Sequence, residues 1–163
     1  MAERQTGSAL FYGDAVTATG STQLYPPGTR REEEGKTYRY VKFETGAVTA
    51  LANGLCGFVS LTGSEVPGDE HWVVTMDISA SNQDLVAGKL TAVIANGEFG
   101  WIQTKGPATL IGTSSAGNIG DKLTWKNDDT GAAEGLAGFT QRTAAMCIKA
   151  GSGVAVYGNL ILD

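Results

Sequence analysis

Short β-type runs recur along most of this chain, and no stretch keeps a helical hydrophobic period for ten residues. The runs lie between turn signals that return about every eight to twelve residues from Thr37 onward. Glycine, at 23 of 163 residues, supplies many of these turns. The pattern predicts an all-β fold, either a single antiparallel β-barrel or a jelly-roll-like sandwich.

The clearest strand is residues 71–78, where Trp72, Val74, Met76 and Ile78 alternate with more polar side chains. Successive side chains of a strand point to opposite faces, so these four residues share one face. We therefore predict that the even-numbered side of this strand belongs to the core.

A hairpin signal follows the apolar run 88–95. Asn96-Gly97 is the strongest two-residue turn signal for antiparallel strands, so residues 88–95 and 98–104 are predicted to form a tight hairpin. Residues 46–53 and 81–87 are each predicted to hold at most a turn or two of helix. Further strands are predicted at residues 37–44, 57–61, 108–111, 122–126, 144–149 and 154–162.

Residues 1–36 differ in composition from the rest of the chain. They hold small apolar clusters at 10–12 and 24–25, many small polar residues and a charged run at 30–36. Such a segment buries too little apolar area to offset an ordering cost of about 1–2 kcal/mol per residue. We expect an extended N-terminal arm that becomes ordered against neighbouring subunits, followed by a β-body over residues 37–163.

Charge and cysteine content exclude several classes of function. A net charge of −5 does not provide the basic surface that attracts nucleic acid or an anionic membrane. The sequence has no apolar run of membrane-spanning length, and its first residues do not resemble an export signal. Two cysteines, Cys56 and Cys147, are too few for a disulfide framework, although a single disulfide between them stays open.

Residue types that carry catalysis are sparse. The single histidine, His71, begins a strand and has no nucleophile motif near it in sequence. Gly35-Lys36-Thr37 lacks the earlier glycine and the following helix of a phosphate-binding loop. A carboxylate-based hydrolase is the remaining enzymatic alternative, with four acidic candidates around one strand: Glu65, Asp69, Glu70 and Asp77.

Metal-binding patterns are equally weak. The acidic loop at 127–131 (NDDTG) would place Lys126 at the first ligand position of a calcium loop. Zinc would require Cys56, Cys147 and His71 to meet without any characteristic spacing. We therefore predict a protein that is not an enzyme and that has no metal and no cofactor.

Apolar and charged residues of the arm are the best candidates for binding a partner. Trp101 has two interpretations, as the core of a hairpin or as part of a subunit interface. The charged run could be a solvated turn or the rim of an interface. The predicted partner-binding residues are Leu10, Phe11, Tyr12, Leu24, Tyr25, Arg30, Arg31 and Trp101.

Four segments together resemble the small structural proteins of tailed bacteriophages that decorate, or cement, the capsid. They are residues 25–30 (YPPGTR), 35–41 (GKTYRYV), 99–106 (FGWIQTKG) and 116–123 (AGNIGDKL). Their order and spacing, more than their chemistry, carry the resemblance. It extends over most of the chain from Tyr25 onward.

The resemblance implies a β-barrel or jelly-roll body, often a homotrimer, on the outside of the capsid. It implies synthesis in the host cytoplasm and binding to the major capsid protein through arms that clamp adjacent subunits. Two alternatives stay open. One is a tail, neck or head-fibre protein of the virion, and the other is a carbohydrate-binding β-sandwich.

Overall fold

The fold is described from a computed structural model that covers residues 13–44, 50–59, 72–77, 81–112, 119, 122–125, 133–135, 145–149 and 155–162. Within these residues the regular structure is almost entirely β, which confirms the all-β prediction. The ten strands are β1 Arg30–Glu33, β2 Lys36–Phe43, β3 Leu55–Val59, β4 Val73–Thr75, β5 Ser81–Leu90, β6 Phe99–Ile111, β7 Lys122–Trp125, β8 Ala133–Gly135, β9 Ala145–Lys149 and β10 Ala155–Ile161.

The strands form one mixed sheet in the order β1-β2-β4-β3-β5-β6-β10-β9-β7-β8. Nearly all of its pairs are antiparallel, but β2 and β4 run parallel. β2 also pairs directly with β6, so the pairings that lead from β2 through β4, β3 and β5 to β6 return to β2. Strand β6 then continues into its pairing with β10.

Strand β2 is shielded on both faces. Val41 and Phe43 are fully buried in a larger apolar cluster, whereas Tyr38 and Tyr40 are buried in a smaller one. Burying one such large side chain stabilises a fold by about 1.5–3 kcal/mol. The larger cluster gathers side chains from β2 to β6 and their connections: Val41, Phe43, Ala50, Cys56, Val74, Met76, Ala87, Leu90, Ile94 and Ile102.

Strand β4 confirms the predicted core side of the run 71–78. Val74 and Met76 have no exposed surface and belong to the larger cluster, against which Trp72 packs. The opposite side is buried as well, since Thr75 and Asp77 have almost no exposed surface. His71 and Ile78 lie outside the described residues.

The predicted tight hairpin at Asn96-Gly97 is wrong, although β5 and β6 do pair antiparallel. β5 ends at Leu90, and the connection closes in a turn where the Glu98 N–H donates to the Ala95 carbonyl at 3.0 Å. The Gly97 N–H donates to the Phe43 carbonyl at 2.8 Å, so this turn docks on the end of β2 and does not join two paired strands.

A two-residue hairpin does occur between β1 and β2. Glu34 and Gly35 have φ values of 50° and 74°, as in a type I′ turn, whose twist matches that of paired strands. Both residues belong to the charged run at 30–36, which was predicted to end the arm. The last residues of the expected arm therefore form strand β1 of the sheet.

Two predicted strands, 98–104 and 108–111, are parts of the single strand β6. Between them the strand turns from β2 toward β10 at Gly106, where φ is +93°. The buried Gln103 side-chain amide donates to three successive carbonyls of this bend, at 3.1, 3.3 and 2.9 Å, those of Lys105, Gly106 and Pro107. These bonds satisfy backbone groups that the bend removes from regular pairing.

The other predicted strands correspond to β3, β7, β9 and β10, with ends shifted by a few residues. The prediction of a helical turn at 81–87 is wrong, because those residues begin β5. Cys56 is a free thiol, so it forms no disulfide with Cys147. Burial raises the pKa of this thiol, whose Sγ lies 3.4 Å from the Gly88 carbonyl oxygen.

Candidate functional site

A segment that we call the N-terminal strap, residues 13–29, lies across one face of β2 and β6. Its Gly20 exchanges two backbone hydrogen bonds with Phe99, at 3.1 and 2.9 Å. The Thr91 hydroxyl donates to the Val16 carbonyl at 2.5 Å. The described part of the predicted arm is therefore in contact with the body of its own chain, which the sequence did not predict.

The strap covers a surface that we call the aromatic face, formed by Tyr38, Tyr40, Phe99 and Trp101. Tyr40 and Trp101 are direct cross-strand partners whose ring centroids lie 5.1 Å apart. Tyr25 from the strap packs onto both, with ring centroids at 5.2 Å from Tyr40 and 5.4 Å from Trp101. Such pairs add about 0.5–1.5 kcal/mol each beyond the area that they bury.

Asp14 joins the strap to the aromatic face through both of its carboxylate oxygens. The Tyr25 hydroxyl donates to Oδ1 at 2.5 Å, and the Trp101 indole N–H donates to Oδ2 at 3.1 Å. Partial burial acts to raise the pKa of Asp14, but these hydrogen bonds and the nearby Arg31 charge outweigh it. Together they hold the pKa below its ordinary value of 3.8, so Asp14 is ionised near neutral pH.

The two arginines of β1 differ in their surroundings. Arg31 is half-buried, donates to the Asp14 backbone carbonyl at 2.7 Å and places its guanidinium 5.8 Å from the Trp101 ring centroid. It also pairs with Glu33 at 2.7 Å. Arg30 forms an exposed ion pair with Glu32, an arrangement that contributes little to stability.

The structure brings together some of the predicted partner-binding residues and not others. Tyr25, Arg31 and Trp101 meet around Asp14, whereas Leu24 projects into solvent with 59% of its surface exposed. Trp101 has no exposed surface, so it cannot touch a partner directly while the strap is docked. Arg30 is exposed, and Leu10, Phe11 and Tyr12 lie outside the described residues.

Asp14, Val16 and Phe99 were not predicted as site residues. Asp14 and Val16 lie among small polar residues without any periodicity, and Phe99 was assigned only to a strand. Asp14 and Trp101 are separated by 87 positions in the chain. No local pattern connects them, and only the fold brings them into contact.

Acid is expected to loosen the strap. The pKa of Asp14 is lower in the folded chain than in the unfolded chain, so its contribution to stability is complete above about pH 4 and is lost as the pH falls through the folded pKa. Because Asp14 is half-exposed, we expect a loss of about 0.5–1 kcal/mol. The Trp101 indole N–H signal, followed by NMR on acidification, measures this change. A pH profile that is unaltered in Asp14→Asn would contradict the prediction.

The residues considered for catalysis and metal binding are mostly outside the described part. This applies to His71, Glu65, Asp69, Glu70 and the acidic loop 127–131. Among the residues that the structure describes, no three side chains of His, Cys, Asp or Glu come together as a metal site would require. Within the same residues, no helix has the length and apolar character needed to cross a membrane.

No family model, no curated protein and no solved structure matches this chain. The resemblance to capsid decoration proteins therefore stands on the quoted sequence segments alone.

Proposed function

We propose that this protein decorates and stabilises the capsid of a tailed bacteriophage by binding the major capsid protein lattice from outside. The observation that carries the proposal is the docked strap. It fixes residues 13–29 on the body, and the apolar cluster Leu10, Phe11 and Tyr12 precedes this docked segment directly in the sequence. An anchored apolar segment of this kind suits binding to an adjacent subunit.

The segments that carry the family resemblance support the proposal by their positions. Tyr25, from the first segment, packs on Tyr40 from the second and on Trp101 from the third. Three of the four quoted segments thus contribute to one structural unit, the aromatic face and its strap. A shared unit of this kind is what a common fold would require.

The proposal includes the architecture and the assembly. The returning pairings of β2, β4, β3, β5 and β6 are consistent with a small closed barrel, which removes exposed edges from the strands involved. We further propose that the protein is a homotrimer in the virion. Symmetric repetition of weak contacts over a lattice gives high avidity without a single tight site, a catalytic group or a cofactor.

Removal of residues 1–12 is expected to weaken capsid binding strongly and to leave the body folded. The described contacts of the strap are made by residues 13–29, which the deletion keeps, so we expect the body to stay folded, and the thermal unfolding midpoint checks this. Binding is measured by cosedimentation with capsids that lack the protein, and we expect the apparent affinity to fall by at least about tenfold.

Leu24→Ser tests the exposed part of the strap, with Leu51→Ser as a matched control. Both leucines are exposed, at 59% and 43%, but Leu51 is not a predicted partner-binding residue.

Unchanged binding by the 1–12 deletion would contradict the clamp mechanism. Localisation by cryo-electron microscopy at the portal vertex alone would favour a tail or neck protein, and saturable glycan binding without capsid binding would favour a carbohydrate-binding module.

A further inference from the structure

A cleft of about 250 Å³ opens between strap residues 18–22 and the edge of the aromatic face. Tyr40 and Phe99 line it with two nearly parallel rings, whose planes differ by 8°. Leu24, more than half exposed, lines the same cleft, and so does Asp14. The cleft thus combines apolar walls with one carboxylate.

The Asp14 carboxylate keeps its negative charge, because the side chains that hydrogen-bond to it are neutral. Its two oxygens accept hydrogen bonds from a phenol and an indole, which are both neutral donors. Arg31, whose charge helps to lower the pKa of Asp14, donates to the backbone carbonyl of Asp14 and also pairs with Glu33. Among the described residues, no ion pair involves the Asp14 carboxylate.

We propose that this cleft binds a basic side chain, arginine or lysine, of a partner protein. The aliphatic stem of such a side chain would pack on Leu24 and the rings, and its cation would lie against the Asp14 carboxylate. A purely apolar occupant would remove water from the carboxylate without replacing its interactions, and an acidic occupant would be repelled. The identity of the partner rests on the proposed function, but the chemistry of the cleft does not.

The test uses a capped peptide, acetyl-Gly-Arg-Gly-amide, and the full-length protein in an NMR titration. The matched probe replaces arginine with citrulline, which has nearly the same shape and no charge. The indole N–H of Trp101 is the main reporter, because it donates directly to Asp14, and the backbone amides of residues 18–22 report on the cleft.

We expect a saturable shift at millimolar peptide, at least about tenfold weaker binding of the citrulline probe, and loss of binding in Asp14→Asn. Binding should also weaken as salt is added. Equal shifts with both peptides, or no saturable shift with either, would overturn the proposal even if Asp14→Asn loosened the strap. A saturable shift with methyl glucoside and none with the arginine peptide would overturn it in favour of a sugar. None of these titrations uses capsids. A negative result for the cleft is therefore distinguishable from a negative result for capsid decoration.

Discussion

Replacing Trp101 with alanine is expected to lower the free energy of unfolding by about 3–5 kcal/mol, the range for large aromatic residues removed from a core. The side chain has no exposed surface and contacts Tyr25, Tyr40 and Arg31. It also provides one of the two donors to Asp14. The alanine variant therefore loses both the centre of the aromatic face and a polar link to the strap.

Urea unfolding measures the loss, and amide hydrogen exchange shows where it acts. Exchange should accelerate most in residues 13–25, because these depend on the aromatic face for their contacts. Trp101→Phe is the control: it keeps an aromatic ring but not the indole N–H, so we expect a loss of about 1–2 kcal/mol. A loss below about 1 kcal/mol for Trp101→Ala would contradict the buried position of this side chain.

Replacing Gly106 with alanine is expected to cost about 2–4 kcal/mol, because two penalties add at this position. Its φ of +93° is unfavourable for any residue with a side chain. An added Cβ would also lie 2.7 Å from the backbone oxygen of Gly35, which cannot move away without disturbing the β1–β2 hairpin.

Gly35→Ala separates these two penalties. Gly35 has a similar φ, +74°, but an added Cβ would meet no atom within 4 Å. This variant should therefore lose only about 1–2 kcal/mol, the conformational part. Equal losses in the two variants, measured by urea unfolding, would show that the bend of β6 is not packed against the hairpin.

The strands were predictable where one face is apolar over several residues. Val74 and Met76 identified the core side of β4, and both are fully buried in the structure. The turns were less predictable, because Asn96-Gly97 has the stronger hairpin signal and yet docks on β2. The type I′ hairpin occurs instead at Glu34-Gly35, although glutamate is not a preferred residue at a position with positive φ. The pairing of β1 with β2 outweighs this local preference.

The strap could not be derived from local patterns. Its contacts are single side chains such as Asp14, Val16 and Tyr25, each meeting a strand that lies far away in the sequence. Tyr25 and Trp101 were both predicted to bind a partner, with the core of a hairpin as the alternative for Trp101. In the structure the two rings pack against each other, with centroids 5.4 Å apart.

The pairing of β2 with β6 has a consequence for biosynthesis. The aromatic face combines residues of both strands, so it does not exist on a nascent chain until β6 has left the ribosome. The β1–β2 hairpin can form early. Its pairing with β6 requires contacts between residues that are far apart in the sequence, and such contacts form slowly. The strap, although it is translated before every strand, is therefore expected to be among the last parts of the chain to become ordered.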